Sequence, residues 1–162
     1  MILDYTRNKY ASATDLEDGS VLIQTRVEDT FFAAAVEMVV KVPLLEITSI
    51  KGKILRAFND ECQEAVPLLQ RAVGVQIGTG LIKTVNGLIG TSGGCPRMAD
   101  LVLECCDEVI LRFTVDPLRQ IVSRSPEELV EAHRMFVQGN PRIIGSCVAW
   151  TKGSPLLEGI EI

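Results

Sequence analysis

Histidine and the large aromatics are scarce in this chain of 162 residues, which holds one histidine, one tryptophan, two tyrosines and five phenylalanines. With His133 alone, a Ser-His-Asp triad or a multi-histidine metal site is nearly excluded. So few aromatics argue against a base-stacking platform for nucleic acid. Basic clusters are missing too. Lys and Arg number 16 against 21 acidic residues, a net charge of −5, and the bases are scattered. Phosphate backbones and anionic membranes therefore repel the chain, and neither nucleic acid nor membrane is an expected partner. Although the mean hydropathy is +0.24, no stretch reaches the ~18 uncharged apolar residues of a membrane helix. Met1-Ile2-Leu3-Asp4-Tyr5 lacks the basic segment and apolar run of a secretory signal, so the expected compartment is the cytoplasm. The five cysteines (Cys62, Cys95, Cys105, Cys106, Cys147) are odd in number and include no CxxC pair. Reduced thiols are expected rather than a disulfide framework or the usual zinc signature.

What is present reads as one α+β domain over 1–150 followed by a tail over 151–162. The expected architecture is an N-terminal antiparallel meander of about three to four strands packed against C-terminal helices. Val21 to Val27 is rich in β-branched residues and follows the turn signal Asp18-Gly19. Phe31 to Val42 is ambiguous because of alanines at 33–35, and Val42-Pro43 interrupts it. Leu45 to Phe58 resumes the pattern, with Lys51-Gly52-Lys53 as a turn or bulge. Helices are predicted at about 64–76 and 79–86, the first opened by Asn59 or Asp60 with Glu61 and Glu64. The clearest is about 96–114, where Met98, Leu101, Val102, Cys105, Cys106, Val109 and Phe113 share one arc. Ser125-Pro126-Glu127-Glu128 has the form of a capping box, and Gly139-Asn140-Pro141 that of a stop. Ile143 to Trp150 suggests a final strand.

Chemistry concentrates at Cys95, which follows Gly93-Gly94 and opens the long helix. A helix N-terminus carries about half a positive charge and unpaired N–H groups, which favour a thiolate as metal ligand or nucleophile. The alternative is a cysteine that packs the helix start. The preceding Thr91-Ser92-Gly93-Gly94 suits an anion cradle, or a tight turn whose glycines supply positive φ. Cys105 lies ~15 Å along the helix from Cys95, far beyond a shared ion with ~2.3 Å thiolate bonds. Cys105 and Cys106 read as core thiols, and His133, among Leu129, Val130, Phe136 and Val137, as a satisfied core histidine.

The series Cys62…Gly74…Gly78…Gly80…Gly87…Gly90…Gly94-Cys95-Pro96-Arg97-Met98-Ala99-Asp100-Leu101 resembles the bacterial family catalogued as Domain of Unknown Function 2889. That family pattern has strands first, then a cysteine, spaced glycines, a Gly-Cys-Thr-His-Leu-like helix start and a late cysteine. The corresponding residues here are Cys62, Gly94-Cys95 and Ser146-Cys147. Thr25-Arg26-Val27-Glu28-Asp29-Thr30 is similar to its N-terminal strand ending in Asp-Thr, and the likeness covers most of 6–150. Where the pattern carries histidine this chain has Arg97, which offers a metal no lone pair but suits an anion or carboxylate. The order of elements is also similar to iron–sulfur scaffold proteins of the NifU N-terminal type, which use three cysteines at sheet and helix ends.

Those likenesses imply a metal site of Cys62, Cys95 and Cys147 for zinc or an iron–sulfur cluster; the glycine-rich helix start, with Arg97 where the family pattern has histidine, suggests an anion-binding loop of Ser92, Gly93 and Gly94 with Arg97. The leading expectation is a cytoplasmic cysteine-based metal-binding domain. Two alternatives stand beside it: a non-enzymatic module for homodimerisation or a protein partner, and a thiol enzyme with Cys95 as nucleophile. Sulfur separations near ~4 Å among the three cysteines would mark a shared ion.

Overall fold

The computed structural model describes residues 4–122, 125–139 and 141–159. The fold is α+β: an N-terminal four-stranded antiparallel sheet followed by helices. The strands are β1 (Arg7–Asp15), β2 (Val21–Asp29), β3 (Ala33–Lys41) and β4 (Glu46–Arg56), paired in chain order. Alternation fixes the faces. On β2, Val21, Ile23, Thr25, Val27 and Asp29 are buried while Gln24 and Arg26 are exposed. The ambiguous run is a strand because Ala34, Val36, Met38 and Val40 fall on one buried face. The edge strand β1 has no apolar alternation of its own and sets Ala11 and Ala13 against Thr25 and Ile23.

The expected turn or bulge at Lys51-Gly52-Lys53 is instead uninterrupted strand; the register shifts fall between Ala33 and Ala34 and between Val39 and Val40. Gly52 is there for space: a Cβ would come within 2.3 Å of Leu69 Cδ1 and 3.1 Å of Met98 Cε. The helix expected over 64–76 is two 3-10 turns, Asp60–Ala65 and Pro67–Ala72. Pro67 lacks the N–H that would carry a helix through, and so begins the second turn. Helix α1 spans Leu81–Ile89 and α2 spans Pro96–Val122, longer than expected. These turns, α1 and the first part of α2 send Leu69, Ala72, Val85, Ile89, Met98, Val102, Cys105 and Val109 into one core with the sheet.

The chain divides into two compact units, Met1–Arg112 and Phe113–Ile162. Phe113, expected on the buried arc of α2, belongs to the second unit and is largely exposed. That unit contains α3 (Pro126–Gly139), opened by the predicted capping box: the Ser125 N–H donates to Glu128 Oε2 (2.9 Å) and the Glu128 N–H to Ser125 Oγ (3.4 Å). The expected stop includes Asn140, which lies outside the described residues. Ile143 to Trp150 is not a strand. It forms parts of two 3-10 turns, with no strand beside it among the described residues to pair its backbone. The expected tail turns at Pro155–Leu157 and buries Leu157. His133 lies 6.0 Å from Trp150 between ring centroids, and its Nδ1 has no hydrogen-bond partner. The histidine is thus packed but not satisfied. Among the described residues no helix is long and apolar enough to cross a membrane.

Candidate functional site

Asp29 ends β2, and its carboxylate organises the turn into β3. Oδ1 accepts from the Phe31 N–H (2.9 Å) and the Phe32 N–H (2.7 Å), and the Asp29 N–H returns to Phe32 O (2.7 Å). This is the local turn chemistry that aspartate favours. The other oxygen faces away from the turn and collects long-range donors. Oδ2 accepts from Tyr5 Oη (3.2 Å), Arg7 Nε (3.3 Å), Arg7 Nη2 (3.0 Å) and Arg97 Nη1 (3.1 Å). Arg56 Nη2 donates to the Asp29 carbonyl at 2.6 Å. The Asp29 side chain is fully buried, whereas those of Arg7 and Arg97 stay 45% and 46% exposed.

Burial alone pushes the Asp29 pKa up. The Phe31 amide, Arg7, the Phe32 amide and Tyr5 together outweigh it and hold the carboxyl well below the usual carboxylate range. The same contact raises the pKa of Arg7. Arg97 is fixed from a second side, its guanidinium 5.0 Å from the centroid of the Phe32 ring. A cleft of about 240 Å³ opens beside the pair, lined by Arg7, Lys9, Asp29, Phe32, Arg97 and Asp100 with Val27 and Leu101. Lys9 Nζ is held by Glu104 at 2.7 Å.

The expected anion loop is built differently. The Gly94 N–H donates to Thr91 O (2.8 Å) and the Cys95 N–H to Ile89 O (2.8 Å), so two of the amides a cradle would offer are engaged inside the turn. Neither Gly93 nor Gly94 has positive φ. Gly94 is needed for close approach, since a Cβ would stand 2.0 Å from Ile89 O. Arg97 points its Nη1 at Asp29.

Cys62 and Cys95 are half-buried and pack against the aliphatic core of the first unit; Cys147 is exposed in the second. Among the described residues no three His, Cys, Asp or Glu side chains are grouped to hold a metal ion. Cys105 and Cys106 are core thiols as expected. Burial pushes both up to about 12, although the contact between Thr25 Oγ1 and Cys105 Sγ (3.2 Å) lowers the first somewhat.

Fold and site define a small α+β domain with a buried, ionised carboxylate clamped between two half-exposed arginines. A family model described as protein of unknown function (DUF2889) matches residues 6–111, and the chain belongs to that family. No curated protein and no solved structure matches it, so the likeness to iron–sulfur scaffold proteins rests on the order of elements alone. The sequence showed Asp29 only as part of the family's Asp-Thr pattern and assigned Arg97, at the start of the long helix, to an anion or carboxylate beside Cys95 rather than to Asp29. The signal it passed over was an aspartate closing a strand ahead of Phe31-Phe32.

Proposed function

We propose that this domain is a non-enzymatic binding module that takes a small oxyanion between Arg7 and Arg97. The observation that carries the reading is a surplus of donors on one oxygen. A carboxylate oxygen offers about two lone-pair sites, yet Asp29 Oδ2 meets four donor atoms at 3.0–3.3 Å. Charge-assisted bonds ordinarily close to about 2.7–2.9 Å. The donors share an acceptor that cannot satisfy them all, and both guanidiniums keep an exposed side on the cleft. A second acceptor there would complete their bonding and relieve the repulsion between them. Arginine suits a carboxylate, phosphate or sulfate because its fork binds such groups at two points.

Chemistry beyond binding draws less support. Asp29 stays ionised and fully engaged, which makes it a poor proton acceptor, and Cys95 does not line the cleft. The test is calorimetric titration of the full chain with inorganic phosphate, sulfate and acetate in separate arms, repeated on Arg97→Gln. One saturable site in at least one arm, weakened about tenfold or more in Arg97→Gln with the fold intact by circular dichroism, is the expected result. No saturable heat in any arm, or equal affinity in the variant, would overturn the reading.

A further inference from the structure

The outer face of the sheet carries a feature the arginine cleft does not explain. Register places Tyr10, Arg26, Ala35 and Lys53 in one row across the four strands, with Ser12, Gln24, Glu37 and Lys51 in the next. Tyr10 is 62% and Leu55 50% exposed, although both could have been small or polar on a solvated face. Between them lies an open depression of about 390 Å³ lined by Tyr10, Arg26, Ala35, Lys51, Lys53 and Leu55, with Gln24 and Glu37 at its side.

Charge on this face runs against the charge of the chain. Arg26, Lys41, Lys51, Lys53 and Arg56 share this face with Glu28, Glu37 and Glu46, on a protein whose net charge is −5. Glu28 is shared by Arg26 (3.0 Å) and Arg56 (3.4 Å), and Glu37 accepts from Gln24 Nε2 (3.0 Å). Among the described residues Lys51 and Lys53 have no carboxylate partner. Lysine on an edge strand does discourage strand addition, which accounts for lysines on β4. It accounts for neither the exposed Tyr10 on the opposite edge nor the exposed Leu55 beside the lysines.

We propose that this face docks an acidic segment of a partner protein. Successive apolar side chains of that segment, laid across the strands, sit against Tyr10 at one edge and Leu55 at the other, and its carboxylates meet Arg26, Lys51 and Lys53. Lys51 and Lys53, without carboxylate partners among the described residues, and Arg26, which shares Glu28 with Arg56, lie on one face with exposed Tyr10 and Leu55 and fit alternating acidic and aliphatic residues by charge and by polarity. A nucleic-acid strand fits less well, because Glu28 and Glu37 interrupt the cations and one tyrosine gives a single stacking surface.

The test uses the full chain and a fluorescently labelled peptide of alternating glutamate and leucine, with a lysine–leucine peptide as its counterpart, read by fluorescence polarisation. The acidic peptide should bind saturably, more weakly as salt rises. Affinity should fall tenfold or more in the double variant K51E/K53E and also in Tyr10→Ala, with both variants folded by circular dichroism at the temperature of the assay. Equal binding of both peptides, or no effect of K51E/K53E, overturns the proposal. A single-stranded oligonucleotide that displaces the peptide overturns it in favour of nucleic acid. A dimer by light scattering that K51E/K53E makes monomeric overturns it in favour of self-association. These residues are separate from Arg7 and Arg97, so either site can fail without the other.

Discussion

At the scale of single residues, Asp29 holds more of the structure than any other side chain described. It closes the β2–β3 turn through Oδ1 and ties Tyr5, Arg7 and Arg97 to the sheet through Oδ2. Its folded-state pKa is depressed, so its contribution is present above the unfolded-state value of about 4 and is lost as pH falls toward the folded value. Asparagine at 29 keeps an acceptor for the turn amides but loses the charge that holds two guanidiniums. Asp29→Asn should therefore be less stable than the parent at neutral pH, with a deficit that narrows below about pH 4 as the parent protonates. Urea melts across the acid range read this directly, and a deficit unchanged into strong acid would contradict the ionised form. Asp29 was legible only as a strand-end residue. The donors on Oδ2 come from 22, 24 and 68 positions away, which no local pattern reports.

At the scale of elements, local pattern and local chemistry succeeded together. The apolar arc of α2 and the capping box of α3 were both readable because a helix satisfies its own backbone and repeats every few residues. The edge strand β1 was not, because it borrows its hydrogen bonds from β2 and its register from that partner. The glycine-rich connection between α1 and α2 was recognised for the wrong reason. Its glycines were expected to serve positive φ or an anion, whereas Gly94 is needed for its approach to the end of α1. That difference is measurable. Gly94→Ala forces a Cβ against the backbone carbonyl of Ile89 and should cost roughly 1–3 kcal/mol, the range of an overpacked interior. Gly93→Ala meets nothing within 4 Å and should stay within about 0.5 kcal/mol of the parent. Equal losses at both positions by denaturant unfolding would return the loop to a role in which both glycines are needed.

At the scale of the whole molecule, the family match and the packing agree on one boundary. The match ends at residue 111 and the first compact unit at Arg112. The buried cluster around the sheet runs from Val21 to Val109 and lies entirely within that unit. Arg112 closes it by pairing with Asp15 on β1, its Nε donating to Asp15 Oδ1 at 3.1 Å. A chain of residues 1–112 should therefore unfold cooperatively by itself and keep its near-ultraviolet dichroism. A fragment with helical signal but no fixed tertiary signal would show that the core needs the remainder.

The sequence alone determined the order of the fold, strands before helices, the buried face of the long helix, the core position of Cys105 and Cys106, and the capped start of the last helix. Each follows from residues near one another in the chain, where periodicity and capping act. Tertiary structure alone decided that Arg97 faces a buried carboxylate, that Gly94 is needed for its close approach to Ile89, and that Lys51 and Lys53 share the open sheet face with Tyr10. Those outcomes depend on strand register and on where a helix start comes to rest, and both are set by packing the whole core rather than by any segment of it.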